Sequence, residues 1–210
     1  MKSTKSCLIS SNEVAATHLI LWSDELPFLN NDALINLGLK YFGKNVKISD
    51  KAVIHGPELI EIGDNSRIDD FCVISGNVRI GTNVHIAVFC NVAGGEAGIT
   101  LEDFSGLAYG CHVFSQSDDY SGRSLTNPTV PDIYKKELKA AILIERHCIV
   151  GCNSVILPGV TLREGTAVGA MSMVTKTTAG WSVYFGAPAR RLKSRAKDLL
   201  ALEAEYLRCS

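Results

Sequence analysis

The sequence predicts an all-β fold, a parallel β-helix wound as a triangular prism, and three observations predict it. A large aliphatic residue recurs at every sixth position in two ladders: Ile62, Ile68, Ile74, Ile80, Ile86, Val92, and then Ile144, Val150, Ile156, Leu162, Val168, Val174. The positions two residues before each rung are also restricted: Ile60, Ser66, Cys72, Val78, Val84, Cys90, and later Ile142, Cys148, Ser154, Val160, Thr166, Ser172. Finally, a period of six fits neither a helix nor an ordinary strand, whose side chains repeat at about 3.6 and 2 residues. Short flat segments meeting at tight corners do fit it. With three segments per coil, eighteen residues bring the chain back to its starting face one strand spacing higher, about 4.8 Å. The large residue then fills the prism and the small one packs near a corner.

Each part of the chain follows in order. Residues 1–44 lack the repeat and read as an N-terminal cap over the open coil end, which otherwise presents unpaired backbone. Ser23-Asp24-Glu25 and Asn31-Asp32 have the composition of helix starts, and Ala33 to Leu39 has helical apolar spacing. Residues 45–195 form the β-helix domain. It is entered through Ile48 and Ile54, with a two-residue slip before Ile62. A slipped coil with Leu101 and Leu107 six apart follows a bulge at Ala93-Gly94-Gly95-Glu96-Ala97-Gly98. From about Ser115 to Ala140 the period vanishes, and a polar stretch with two prolines reads as a long protruding loop. Long loops inside a regular array are uncommon and often functional. The repeat resumes until Lys176, and a turn through Gly180 and Gly186-Ala187-Pro188 leads to a C-terminal helix within residues 196–210.

Composition narrows the function. The 210 residues are 46% hydrophobic, enough to fill a core, and a net charge of −1 gives no support to nucleic-acid binding driven by overall charge. The apolar run His18 to Trp22 is far too short to span a bilayer. Of seven cysteines, Cys72, Cys90 and Cys148 occupy the small-residue slot, where a thiol behaves as a compact buried group. A reduced, cytoplasmic setting is expected rather than a disulfide framework.

Beyond the ladders, the turn Leu157 to Val160 (LPGV), the stretch Val168 to Lys176 (VGAMSMVTK) and the ending Gly186 to Lys193 (GAPARRLK) resemble the hexapeptide-repeat acyltransferases. The resemblance covers roughly residues 45–195 and is nearest to the galactoside, maltose and xenobiotic acetyltransferase group. It implies a left-handed β-helix, acetyl-CoA as co-substrate without a metal, and a homotrimer with three sites, each in a cleft between subunits. It also implies a small-molecule acceptor, a sugar or nucleotide sugar. By the same resemblance Thr175, Lys176, Arg190 and Lys193 meet the nucleotide end of CoA, where point charges and forked guanidinium donors suit phosphate oxygens. Gly151-Cys152 and Gly169-Ala170 are small enough to let backbone amides approach the pantetheine arm. The competing reading of residues 190–197 is the solvated start of a helix.

Acyl transfer needs a base for the attacking group and a stabiliser for the oxyanion. Histidine titrates near neutrality, and His85, at a corner ahead of small and bulging residues, is the first candidate. His112, directly before the loop, is another. His18 and His55 read as structural, and His147, at a corner on the far side of the loop, ranks last among the catalytic candidates. The family's histidine a few residues into the segment after the second coil set has no counterpart. That place falls near Asp118, so either His85 is the base, oriented by Asp118 or Asp119 across a subunit cleft, or an aspartate replaces it. A sugar hydroxyl in surface-polysaccharide synthesis is the first acceptor reading, and the amine of a nucleotide-linked amino sugar the second. Acetyl against a longer acyl chain stays open. A γ-class carbonic anhydrase with three histidines on zinc, or a non-catalytic scaffold, are readings of another class.

Overall fold

The computed structural model describes residues 27–209, so Ser23-Asp24-Glu25 and His18 lie outside the described residues. Short strands stack in three parallel faces. Face 1 runs Lys47–Ile48, Arg67–Ile68, His85–Ile86, Gly106–Leu107, Ile149–Val150, Ala167–Val168 and Ser182–Phe185. Face 2 runs from Val53–His55 through His112–Phe114 and Val155–Ile156 to Met173–Val174. Face 3 starts at Tyr41–Phe42 and continues through Ile60–Ile62, Ile142–Ile144 and Thr161–Leu162. Strands Val73–Ile80 and Asn91–Leu101 turn the corner from face 2 to face 3 without a break.

The register is that of a coil of eighteen. Ile68 pairs with Ile86, Ile62 lies under Ile80, and Ile74 under Val92. All twelve ladder residues are at most 3% exposed. Their burial is the driving force of the fold, about 1.5–3 kcal/mol for each fully buried aliphatic side chain. The small residues have a polar task as well. Ser66 Oγ donates to Gly81 O at 2.7 Å, Cys72 Sγ to Ala87 O at 3.0 Å, and Ser154 Oγ to Gly169 O at 3.0 Å, so carbonyls turned inward at corners are satisfied. Asn45, Asn65 and Asn83 hold corners with φ near +55°, a region asparagine tolerates better than most residues.

Three departures from strict periodicity shape the surface. Ile48 pairs with Ile68, twenty residues on. Ile80 pairs with Leu101, twenty-one on, because residues 93–98 bulge at the corner between faces 2 and 3. Leu107 pairs with Val150, forty-three on, since the excursion after His112–Phe114 leaves from that same corner and returns at Ile142–Ile144. The excursion is ordered. Its stem pairs Gln116–Ser117 antiparallel with Leu138–Lys139, and Lys139 Nζ reaches Glu96 in the bulge at 3.0 Å.

Both ends are closed. Helix α1 (Asn31–Leu37) is capped by Asn30, whose side chain accepts from Ala33 N, and it buries Leu34 on the core. Parallel pairing already begins at Tyr41–Phe42, inside the segment expected to be cap alone. At the other end Arg190–Ser194 folds back antiparallel on Ser182–Phe185, a hairpin the sequence reading lacked. Helix α2 (Leu199–Cys209) then lies against the corner between faces 3 and 1. Glu203 receives Arg146 and, at 2.9 Å, His147 Nε2, while Tyr206 meets Phe104 edge-on. Among the described residues no helix is long and apolar enough to cross a membrane.

Candidate active site

The residues singled out by the sequence fall in separate depressions on different sides of the prism. The first is a cleft of about 590 Å³ between face 1 and α2, lined by His85, Gly106, Tyr109, Ile149 and Leu202 among others. His85 stands within the flat face, in register with Arg67 below and Gly106 above, and not at a corner as its place in the hexad suggested. Its Nε2 lies 2.8 Å from Asp69 Oδ2, and Asp69 is itself almost fully buried and also holds Arg67. The tautomer that donates Nε2–H to the Asp69 carboxylate leaves Nδ1 as the ring's acceptor. Asp69 was missed from sequence. It sits sixteen residues before His85, nearly one coil, and that spacing was the available signal.

The second depression is a cleft of about 920 Å³ between the excursion and the edge of face 2. Phe114, Leu157, Pro158, Met173 and Thr175 form its coil side, and Ser117 to Ser121, Arg123 and Lys136 to Leu138 its loop side. The two adjacent aspartates differ sharply here. Asp119 accepts from Ser121 N at 2.8 Å, Ser121 Oγ at 2.9 Å and Ser124 Oγ at 3.1 Å, and these donors hold its carboxyl below the usual range. It is the knot of the loop. Among the described residues the Asp118 carboxylate accepts one long bond, from Asn127 N at 3.3 Å to Oδ1, and its other oxygen is unengaged at the cleft.

The cleft's coil wall ends at Thr175, and the next residue opens a third depression. This basic hollow of about 350 Å³ is lined by Lys176, Arg190, Arg191 and Tyr184. Arg191 is braced by Ser182 and Ser194, both at 2.9 Å. Lys193 is instead paired with Val183 in the terminal hairpin and lines none of these three depressions. Gly151, Cys152, Gly169 and Ala170 lie at the opposite corner, between faces 1 and 2. Coil stacking alone accounts for both glycines: a Cβ on Gly151 would come 2.5 Å from Ala170 N, and one on Gly169 2.5 Å from the Phe185 ring. Within one chain this corner does not share a groove with Thr175 and Lys176.

The remaining histidines do not converge. His112 lies exposed on face 2 between Asn91 and Val155, and lines neither large cleft. His147 is buried under α2 against Glu203, Phe104 and Trp181. Among the described residues no three His, Cys, Asp or Glu side chains form a group able to hold a metal.

Comparison with known proteins was decisive for the family. A family profile described as "Bacterial transferase hexapeptide (six repeats)" matches residues 60–94. The dTDP-4-amino-4,6-dideoxy-D-glucose acyltransferase of Escherichia coli is 39% identical over 184 residues, 86% of this chain and 95% of that protein. The chain belongs to the hexapeptide-repeat acyltransferases. As a member it is an acyltransferase, and its coils are the left-handed β-helix of that family. AntD, an N-acyltransferase from Bacillus cereus solved in complex with dTDP and 3-hydroxybutyryl-CoA, superposes with a TM-score of 0.86 at 42% identity. That match covers 87% of this chain and 97% of AntD. Galactoside O-acetyltransferase of Lactococcus lactis subsp. lactis is 29% identical over 133 residues, covering 61% of this chain and 59% of its own. The relatives thus span both acceptor classes that the sequence left open, amine and hydroxyl.

Proposed function

We propose that this acyltransferase moves an acyl group from coenzyme A to the amino group of a nucleotide-linked amino sugar, as a homotrimer in the cytoplasm. The observation that carries this reading is Asp118, a carboxylate with one oxygen unengaged among the described residues in a cleft lined by Thr175, the residue next in sequence to Lys176 of the basic hollow. CoA fits that path with its phosphates on the cations and its thin pantetheine arm along Thr175 and Met173 toward the loop. The similarity to AntD and to the E. coli enzyme weighs for an amine over a hydroxyl. So does the chemistry. An ammonium of the α-amino kind titrates near 8, within reach of a carboxylate partner, whereas a sugar hydroxyl needs a stronger base.

In this reaction the neutral amine attacks the thioester carbonyl carbon, the C–S bond breaks, and the amine's extra proton passes to Asp118 and on to the leaving thiolate. Asp119 shapes the loop and does not touch substrate. A second reading rests on the His85–Asp69 pair, which is geometrically a formed general base. It applies if a neighbouring copy's loop carries the acceptor over the cleft on face 1.

A trimer is supported by the exposed column Phe71, Phe89, Tyr109 and Met171 along the corner between faces 1 and 2, each more than half exposed. It also unites the two corners. Gly169 and Ala170 of one copy can flank a CoA whose other side meets Thr175 and Lys176 of the next. Thiol release from acetyl-CoA with a dTDP-linked 4-amino sugar as acceptor, against the corresponding 4-hydroxy sugar, tests the reading. Turnover of the hydroxy sugar alone would return the assignment to O-acetylation.

A further inference from the structure

The loop side of the 920 Å³ cleft carries two cations that no other described residue engages. Two of the three acids beside them are committed, Asp119 to Ser121 and Ser124, and Glu137 to Lys135 at 3.2 Å and Lys139 at 3.9 Å, while Asp118 is reserved for the sugar amine. The neighbouring Lys135 and Lys139 are likewise paired, with Asp132 and Glu96. Arg123 and Lys136 are different. Both line the cleft, and neither side chain has a hydrogen-bond or ion-pair partner among the described residues. Beside them Tyr120 is 92% exposed, an aromatic ring offered to solvent from an otherwise polar turn. Asp119 and its bonds to Ser121 and Ser124 fix that turn, so ring and guanidinium are presented by an ordered segment.

We infer that Arg123, Lys136 and Tyr120 form the clamp for the nucleoside diphosphate of the acceptor. The two cations take the diphosphate oxygens and Tyr120 is the platform for the base. The cleft needs two anion sites if both substrates carry phosphates. The hollow at Lys176, Arg190 and Arg191 lies at the coil end and suits CoA, which leaves the loop pair for the acceptor. A forked guanidinium and a mobile ammonium together match a diphosphate, and an exposed aromatic ring stacks on any base. Asp118, in the same loop, then meets the sugar amine. The inference rests on the nucleotide-sugar reading above and adds which residues select the nucleotide.

The test is direct binding of dTDP and of pyrophosphate to the full chain by calorimetry, with steady-state kinetics alongside. Arg123→Gln and Lys136→Gln should each raise the dTDP dissociation constant and the acceptor KM about tenfold, the weight of one charge-assisted hydrogen bond, with the acetyl-CoA KM unchanged. Tyr120→Ala should weaken dTDP but leave pyrophosphate binding as it was. Arg190→Gln should do the converse of the loop variants and raise the acetyl-CoA KM alone. All the loop positions are exposed, so melting temperatures should stay at the wild-type value. If the double variant binds dTDP within twofold of wild type, or if the acetyl-CoA KM rises instead, the clamp is overturned while the transferase reading stands. A wild-type chain with no affinity for dTDP and no turnover of the amino sugar overturns both.

Discussion

Asp118→Asn is the substitution that bears most directly on the chemistry. The amide keeps an oxygen to accept from Asn127 N, so the one side-chain bond Asp118 makes among the described residues survives. Asp119 keeps its three donors, and the stem of Gln116–Ser117 on Leu138–Lys139 is untouched. What the variant loses is the ability to take a proton. Positioned general bases contribute about 10²–10⁴ to rate, so kcat should fall by roughly that factor with both KM values within about threefold.

The pH profile supplies a readout that a structural defect would not. Without the carboxylate the amine must lose its proton to solvent, so the rate of the variant should climb about tenfold per pH unit until the amine's own pKa, near 8 for an α-amino-like group. The assay is thiol release from acetyl-CoA at saturating acceptor between pH 6 and about 9. Asp119→Asn is the control. It loosens the loop, and it should lower the melting temperature and raise the acceptor KM without steepening the profile. Near-wild-type kcat for Asp118→Asn would refute the argument. If His85→Ala and Asp69→Asn were then the variants that lost turnover, the base would be the pair on face 1.

Three further outcomes follow from other parts of the molecule. Phe89→Asp places a charge in the exposed column where Phe71 and Phe89 stack with centroids 5.2 Å apart, and light scattering should find the proposed trimer in the wild type and monomer in the variant, with the coil intact by circular dichroism. Among the described cysteines, Cys209 should react first with a thiol reagent at pH 8 and Cys152 next. Cys148 should stay inert until unfolding, since burial pushes its pKa up to about 12. Asp70→Asn should lower the melting temperature at neutral pH and lose that effect in acid. The hydrogen bonds from Lys51 and Ser49 hold the Asp70 pKa below its ordinary value. Such a group stabilises above the unfolded carboxylate pKa of about 3.9, and the contribution vanishes as pH falls through the lower folded value, so the two melting curves should converge below about pH 4.

The fold was legible because a prism core imposes its period on the sequence over long uninterrupted runs. Ile62 to Val92 and Ile144 to Val174 can face nothing but the interior, so each rung had to be aliphatic, and the slips at Ile62 and Leu101 showed where coils lengthen. Features outside the core carry no such constraint. Arg190–Ser194 pairs by its backbone while all five residues are exposed, and five such residues read as a charged run and not as a strand. The difference in bonding between Asp118 and Asp119 was equally hidden, because it depends on where Ser121 and Ser124 turn back within a loop that has no period.

Sequence did hold one clue to the chemistry that the ladders obscured. Residues a coil apart lie side by side, so any ionisable pair separated by sixteen to twenty positions is a candidate contact. Asp69 and His85 satisfy that rule, as do Lys51 and Asp70, and Lys40 and Glu61 come close to it. Asp118 has no such partner, because the forty-three-residue step from Leu107 to Val150 removes it from the lattice. A carboxylate freed from the lattice in this way is available to a substrate, whereas one locked to a neighbouring coil, such as Asp70, is already in use. By that reasoning the proposed base for an amine acceptor is the one on the excursion. The His85 pair would take over only for a hydroxyl, whose proton is too tightly held for Asp118 to remove.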